Sequence, residues 1–244
     1  NDDCDISAQY SFEPVMSAVL PNVVAANQSV TSTGASHSSL QKSIVQDPID
    51  FSLVLDISGS MFTDLPELKR IIIELIEDID PDSNKVRFSI VPFASGVSVR
   101  NAPWLASSKG VTKCVDGLAY NGWRVDADKT VTNLNKPAKE LTFKDSTASP
   151  WLDYCSEESV ILPLTYDLDD VIKHVDRLEV SGSTASYQGF IWGVRTLTET
   201  WQKDWKIMPV DSPFLSQRLI LFTDGADSNN HLNDLIAAGL CDKV

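Results

Sequence analysis

Three short segments of the sequence carry side chains that can bind a metal ion through oxygen. The first supplies Asp56, Ser58 and Ser60, and alternation places these three side chains on the same side of a tight turn. The second, a Gly-Ser-Thr segment, supplies Thr184, and the third, a Thr-Asp-Gly segment, supplies Asp224. Together they offer carboxylates and hydroxyls but no thiol or imidazole. Such a donor set suits Mg²⁺, Mn²⁺ or Ca²⁺ rather than zinc or copper.

These oxygens are too few to surround the ion. Three hydroxyl oxygens and one or two carboxylates do not fill the six positions of an octahedral ion without water. The remaining positions stay open or water-filled. The sequence therefore predicts an ion that accepts a carboxylate from a protein partner.

Strand ends must bring the three segments together. The run FSLVLDI, from Phe51, is apolar on both faces, as expected of a central strand in a parallel sheet covered by helices. KVRFSIVPF, from Lys85, and RLILFT, from Arg218, read as further strands. Ligands of open α/β sheets bind beyond the carboxyl ends of such strands, where Asp56 and Asp224 lie.

Amphipathic helices alternate with the strands. Asp64 and Glu67 have the spacing of a capping box, which predicts a helix that begins there. A helix over 185–201 is predicted after the Gly-Ser-Thr segment, with Phe190 and Trp201 on one side. The pattern predicts a doubly wound α/β fold, a mostly parallel sheet flanked by helices.

The chain divides into an amino-terminal extension or linker over 1–46 and a domain over 47–244. Residues 100–159 interrupt the domain as a loop-like, polar insertion. Cys114 and Cys155 bracket most of it, and a disulfide between them would stabilise the fold by roughly 4 kcal/mol in the chain-entropy model. Two buried thiols are the alternative.

The insertion is also rich in aromatic residues. These are Trp104, Tyr120, Trp123, Trp151 and Tyr154. They form either a recognition surface near the metal or a satellite core that holds the long loop together.

Charge and composition exclude several classes of function. The 244 residues carry a formal charge of −14, which argues against nucleic acid or an anionic membrane as the main partner. With three histidines and four cysteines that lack CxxC spacing, zinc and thioredoxin-like sites are not expected. The cysteines suit disulfides in an oxidising compartment.

The order of the three segments resembles the von Willebrand factor A (VWA) family, with its metal-ion-dependent adhesion site (MIDAS). The shared features are DISGSM after a hydrophobic strand, a mid-chain GST turn and a late TDG. The resemblance implies a Rossmann-like VWA fold over 51–99 and 160–244. It also implies that Asp56, Ser58 and Ser60 are first-loop ligands, with Thr184 and Asp224 as the second- and third-loop ligands of Mg²⁺, or of Mn²⁺ or Ca²⁺.

A narrower similarity is to the VWA domain of tight-adherence (Tad, Flp) pilus-assembly proteins of the TadG type. The matching stretches are LPLT from Leu162, the segment Gly189 to Leu197, and LCDKV at the end of the sequence. The similarity implies that the protein is extracytoplasmic and lies in a bacterial cell envelope, either in the periplasm or at the cell surface. Pilus-assembly components become possible partners, and any membrane anchor is expected outside this chain.

The family pattern normally continues with two more strands and a helix after Val244. Without them, the strand from Arg218 would form an exposed sheet edge, which is an aggregation hazard. The disulfide partner of Cys241 is expected to lie in that missing part. A disulfide between Cys4 and Cys241 is the alternative.

Other functions compete with adhesion. The site could belong to a structural scaffold of a pilus or secretion machine in which the metal only rigidifies the loops. A haloacid-dehalogenase-like phosphatase also places an Asp after a first strand, but it needs a second Asp where Ser58 stands. With no GxSxG elbow and no Walker loop either, we expect no enzyme. The alternative without a metal is that Asp56 and Thr184 only cap helices.

Overall fold

The structure is a computed structural model. It describes residues 47–79, 84–105, 114–144, 149, 152, 155–156, 159–224, 227 and 231–243. These belong to one unit, Asp47–Val244. The predicted extension over 1–46, and Cys4 with it, lies outside the described residues.

Eight strands are described, and four of them form the central sheet. The strands are β1 (Ile49–Asp56), β2 (Val86–Phe93), β3 (Val97–Ser98), β4 (Cys114–Val115), β5 (Tyr120–Asn121), β6 (Arg124–Val125), β7 (Leu162–Thr165) and β8 (Ser216–Phe222). The order across the central sheet is β7-β2-β1-β8. β1 runs parallel to both of its neighbours, whereas β7 is an antiparallel edge strand.

The helices described are α1 (Leu65–Glu77), α2 (Ala127–Thr132), α3 (Leu168–Asp176), α4 (Ser186–Leu197), α5 (Glu199–Asp204) and α6 (His231–Ala237). All eight residues of β1 and all eight of β2 are buried. This agrees with their sequences, which are apolar on both faces, as expected of strands covered on both sides of the sheet. The prediction of a mixed α/β domain with a mostly parallel sheet flanked by helices is confirmed.

Helix α4 lies directly against the sheet because two of its positions are glycines. A Cβ atom at Gly193 would lie 2.6 Å from Val54 Cγ2, and one at Gly189 would lie 2.4 Å from Phe93 Cδ1. Thr196, one turn further on, donates from Oγ1 to Gly193 O and to Ser52 Oγ. The close approach fixes the position of the loop that precedes α4.

Two helix predictions need correction. The single helix predicted over 185–201 is two helices, because Thr198 adopts an extended conformation between α4 and α5. The capping box predicted at Asp64 is absent, since Asp64 makes no side-chain cap hydrogen bond. Glu67 instead pairs with Arg70, one turn further along the exposed face of the helix.

The insertion packs on the domain and carries the predicted disulfide. Cys114 and Cys155 are joined, with their Cα atoms 6.1 Å apart, whereas Cys241 is exposed and free. Trp104 packs against buried Trp192 and Trp201 in a core cluster that also includes Val54 of β1, so it joins the domain core rather than a separate satellite core.

Trp123 behaves differently, because it is 95% exposed in the β5–β6 hairpin. Trp151 and Tyr154 lie outside the described residues. A recognition role for the exposed Trp123 stays a prediction. Across the described part of the chain, no helix is long and apolar enough to cross a membrane.

Candidate metal centre

The first loop of the site begins where β1 ends. Asp56, the last residue of β1, is fully buried, and its Oδ1 accepts a hydrogen bond from the backbone N–H of Ser58 at 2.8 Å. This Asx-type turn reverses the chain and leads into a short 3-10 turn, Gly59–Phe62. Ser58 is buried and Ser60 is exposed, so the loop runs from the core to the surface.

Two backbone hydrogen bonds hold the second loop, which precedes α4, against the first. Ser181 N donates to Ile57 O at 2.7 Å, and Gly59 N donates to Gly182 O at 3.0 Å. Gly182 has a φ of +71°, which glycine adopts without the steric cost that a side chain would add.

Ser183 ties the same loop to the segment that follows β2. Its N–H donates to Ser95 Oγ at 3.0 Å, and the hydroxyl oxygens of the two serines lie 3.1 Å apart. The second loop is therefore held from two sides by bonds that involve none of the predicted metal ligands.

The side chains of the three loops form one continuous chain of oxygens. Thr184 Oγ1 donates to Ser58 Oγ at 3.0 Å, and Ser58 Oγ lies 3.0 Å from Ser60 Oγ. Ser60 Oγ in turn donates to Asp224 Oδ1 at 3.0 Å. Asp56 lies at the base of this chain through its bond with Ser58. All five predicted residues therefore meet at the carboxyl-terminal end of the parallel strands; their role as ligands stays a prediction.

Thr184 does not cap the helix that follows it. Ala185 is the N-cap residue of α4, and no side chain caps that position from within the loop. The hydroxyl of Thr184 points instead to Ser58, on a different loop. The reading of Thr184 as an ordinary helix cap is therefore wrong.

The charge of Asp56 lacks a cationic partner among the residues that the structure describes. Its two carboxylate oxygens accept from Ser58 N and from Thr223 Oγ1, the latter at 2.7 Å. Asp50, at the other end of β1, is also buried but has a cationic partner. Arg87 donates two hydrogen bonds to its carboxylate, each of 2.7 Å. A buried carboxylate is costly unless it is paired with a cation or coordinates a metal.

The donor set fits a small hard cation. No three His, Cys, Asp or Glu side chains are grouped to hold a metal in the described ranges, so any ion here would depend on hydroxyl oxygens as well. Neighbouring oxygens in the chain are 3.0 Å apart. An octahedral ion with Mg²⁺-like bonds of 2.0–2.1 Å places adjacent ligands roughly 2.8–3.0 Å apart.

Two residues of the third loop have roles that the sequence interpretation missed. Thr223 orients the Asp56 carboxylate, and it could have been noticed because it directly precedes Asp224. Asp227, further along this loop, binds the start of α4. It accepts from Ser186 N at 2.5 Å and from Ser186 Oγ at 2.8 Å, and so links the third loop to the second.

A cavity of about 600 Å³ opens beside Thr184. Its lining includes Tyr187 of α4 and His231 of α6. The β5–β6 hairpin forms another wall and contributes Arg124 and the exposed Trp123. The same lining contains one acidic side chain, Asp234, so the cavity presents both charges and several aromatic rings.

Comparison with known proteins assigns no family to the chain. No model of a known protein family matches the sequence, and no curated protein is significantly similar to it. The function of the site must therefore be inferred from its own residues and their geometry.

Proposed function

We propose that this chain is a metal-dependent protein-binding domain of the VWA type. Asp56, Ser58, Ser60, Thr184 and Asp224 hold a divalent cation, Mg²⁺ with Mn²⁺ or Ca²⁺ as alternatives. The observation that carries the proposal is the chain of 3.0 Å oxygen contacts across three loops. A cation bound there would supply a Lewis acid with open positions for a carboxylate of the partner.

The electrostatics of the first loop support a cation. Asp56 is buried, and its two bonds come from a backbone N–H and a hydroxyl rather than from a charged group. Asp224 is exposed at the other end of the oxygen chain, where an incoming ligand and solvent can reach it. One carboxylate is thus buried and the other exposed, and both would help to hold the proposed ion.

A purely stabilising metal is the competing function, and the loop anchors argue against it. Ser181, Gly182 and Ser183 are already fixed by bonds to Ile57, Gly59 and Ser95. An ion would add little rigidity to loops held in this way. We therefore favour a site that binds a partner over a scaffold in which the metal only stiffens the loops.

Non-enzymatic binding is also favoured over phosphoryl transfer. A haloacid-dehalogenase-like phosphatase needs a carboxylic acid two residues after its nucleophile, and position 58 is a serine. The Ser58 hydroxyl accepts from Thr184 and contacts Ser60, which are roles in a ligand cluster rather than in proton transfer.

The partner is proposed to be a protein that presents an acidic side chain. The disulfide is typical of proteins that fold in an oxidising compartment. Together with the similarity to Tad pilus-assembly proteins, this supports an extracytoplasmic location in a bacterial envelope. Pilus-assembly components are then candidate partners.

Water relaxation by bound Mn²⁺ tests the proposal. Mn²⁺ at a site with open positions enhances the relaxation of exchanging water protons. Addition of a short peptide that contains Asp should displace that water and lower the enhancement, whereas the matched Asn peptide should not. An enhancement unchanged by both peptides would support the scaffold, and turnover of p-nitrophenyl phosphate would support the phosphatase.

A matched pair of variants locates the ion. Asp224→Asn should weaken Mn²⁺ binding by at least about tenfold, because a carboxylate oxygen is lost from the cluster. Asp211→Asn removes the same charge from an exposed residue of the segment before β8 and should leave the affinity unchanged. Equal affinities in the two variants, or no Mn²⁺ binding by the unmodified chain, would contradict the proposal.

A further inference from the structure

A second cavity lies away from the oxygen chain, between the insertion and helix α4. It has a volume of about 310 Å³, at the lower end of the roughly 300–1,000 Å³ typical of small-ligand sites. One wall begins at Gly117, and a second is formed by the segment from Asn133 to Phe143. Arg195 of α4 completes the lining.

Arg195 is the unusual member of this lining. Its side chain is 1% exposed, and its Nε and Nη1 atoms have no hydrogen-bond partner among the described residues. Its Nη2 atom donates to Gly117 O over a long distance of 3.4 Å. A buried guanidinium with two unpaired nitrogens is costly, and such groups normally have a partner or a ligand.

Aromatic rings surround the guanidinium without satisfying its donors. The Arg195 Cζ atom lies 4.5 Å from the ring centroid of Trp192, 4.8 Å from that of Trp201 and 5.4 Å from that of Phe143. These rings favour the cation and keep the group dry. Burial lowers the pKa of the Arg195 guanidinium, and the nearby charge of Asp116 opposes that shift.

Asp116 is a nearby countercharge, but its hydrogen bonds go elsewhere. Its carboxylate accepts from Leu118 N at 2.9 Å, from Gln188 Nε2 at 2.6 Å and from the Tyr120 hydroxyl. No hydrogen bond joins it to Arg195 in the described structure. Within the described residues, Nε and Nη1 of Arg195 are therefore left without an acceptor at the edge of this cavity.

The charge of the lining is opposite to that of the protein. Arg195, Lys129 and Lys136 face a single acidic side chain, Glu140, although the whole chain carries a formal charge of −14. Asn133 adds a buried carbonyl oxygen, Oδ1, that also lacks a partner in the described part of the chain. The cavity thus offers cationic donors together with one acceptor.

We propose that this cavity binds a small oxyanion, with its carboxylate or phosphate group against Arg195 and Lys136 and a hydroxyl or amine donor toward Asn133. A planar guanidinium suits both oxyanions, because two of its N–H groups match two of their oxygens. The site is independent of the proposed metal.

Calorimetric titration of the full chain in EDTA tests this proposal, because the chelator removes any contribution from the metal site. The probes are inorganic phosphate, glycolate and acetate. Saturable binding of phosphate or glycolate in the millimolar range or tighter is expected, and it identifies which oxyanion fits. Acetate should bind more weakly than glycolate because it has no donor for Asn133.

Two lysine variants distinguish a built site from general attraction of anions. Lys136→Gln should weaken binding by about tenfold, the effect of one lost charged hydrogen bond. Lys139→Gln removes an equally exposed charge three residues away that does not line the cavity, and it should bind as the unmodified chain does. Arg195→Gln should abolish binding, with circular dichroism used to check its fold. Absence of saturable binding by all three probes, or equal weakening in both lysine variants, would overturn the proposal.

Discussion

Thr184 Oγ1 donates a hydrogen bond to Ser58 Oγ at 3.0 Å, although 126 residues separate the two in sequence. The contact joins the loop after β1 to the loop before α4, at the rim where parallel strands end. The backbone bond from Gly59 to Gly182 holds the same two loops together. The backbone bond therefore fixes the two loops on which the side-chain contact depends. The hydroxyl oxygens of Ser58 and Thr184 are thus in position before any ligand binds.

Ser58→Ala tests whether this hydroxyl is a ligand. Ser58 lies in the middle of the oxygen chain, so its loss should weaken Mn²⁺ binding by at least about tenfold, measured by calorimetry. Ser183→Ala is the control, because Ser183 is next to Thr184 in the second loop but its hydroxyl contacts Ser95 and is not part of the chain. Comparable affinities in both variants would contradict a direct role for Ser58.

The site was predictable because its residues follow strands that are easy to recognise. The run from Phe51 and the run from Arg218 are apolar on both faces, and Asp56 and Asp224 come at or just after their ends. Parallel neighbours place those ends side by side. Thr184 was harder to place, because it precedes a helix rather than following a strand. The Gly-Ser-Thr segment marked it as an oxygen donor, and the ordered family pattern then implied a ligand role.

Details that depend on competition between side chains were not predictable. Glu67 has the spacing of a capping-box residue, but Arg70 lies one turn away and pairs with it instead. Thr198 gave no breaker signal, yet the helix ends there. The buried pair of Asp50 and Arg87 was also missed, because its two members lie on different strands and meet only through sheet register.

Arg87→Met tests the buried ion pair between β1 and β2. Both side chains are almost fully buried, and removal of one partner leaves an uncompensated charge. We expect a loss of about 3–5 kcal/mol in the free energy of unfolding, measured by urea denaturation. The double variant Asp50→Leu/Arg87→Met should lose less than the sum of the single variants, because it leaves no unpaired charge.

Arg70→Met is the matched control for this prediction. Arg70 also binds two carboxylates, those of Glu67 and Glu74, but its side chain is 53% exposed. Exposed ion pairs contribute little to stability, so this variant should unfold almost as the unmodified chain does. If Arg87→Met were equally mild, the buried pair would not contribute to stability as we expect.

The disulfide should contribute measurably to stability. Cys114 and Cys155 are 41 residues apart, and a cross-link over a loop of that length is expected to contribute about 4 kcal/mol. The variant Cys114→Ala/Cys155→Ala should therefore unfold at a lower denaturant concentration. Cys241→Ser should have no such effect, because that cysteine is exposed and free. Equal midpoints for the two variants would show that the cross-link is not stabilising.

His174 should make stability depend on pH near neutrality. Burial lowers its pKa below 6.5, and the backbone oxygen of Val160, 2.7 Å from Nε2, partly opposes the shift. Because the folded state then binds the proton less well than the unfolded state, the stabilising contribution is complete above the unfolded pKa. It declines as the pH falls below about 6.5.

Urea denaturation between about pH 5 and pH 7 measures this dependence. The free energy of unfolding should rise with pH, and the part due to one histidine cannot exceed about 1.4 kcal/mol per pH unit. His174→Gln should flatten the slope, because glutamine does not titrate and can still donate toward Val160. Lys173→Gln, at the exposed neighbouring position, should keep it. A slope in the His174→Gln variant as steep as in the unmodified chain would assign the pH dependence to other groups.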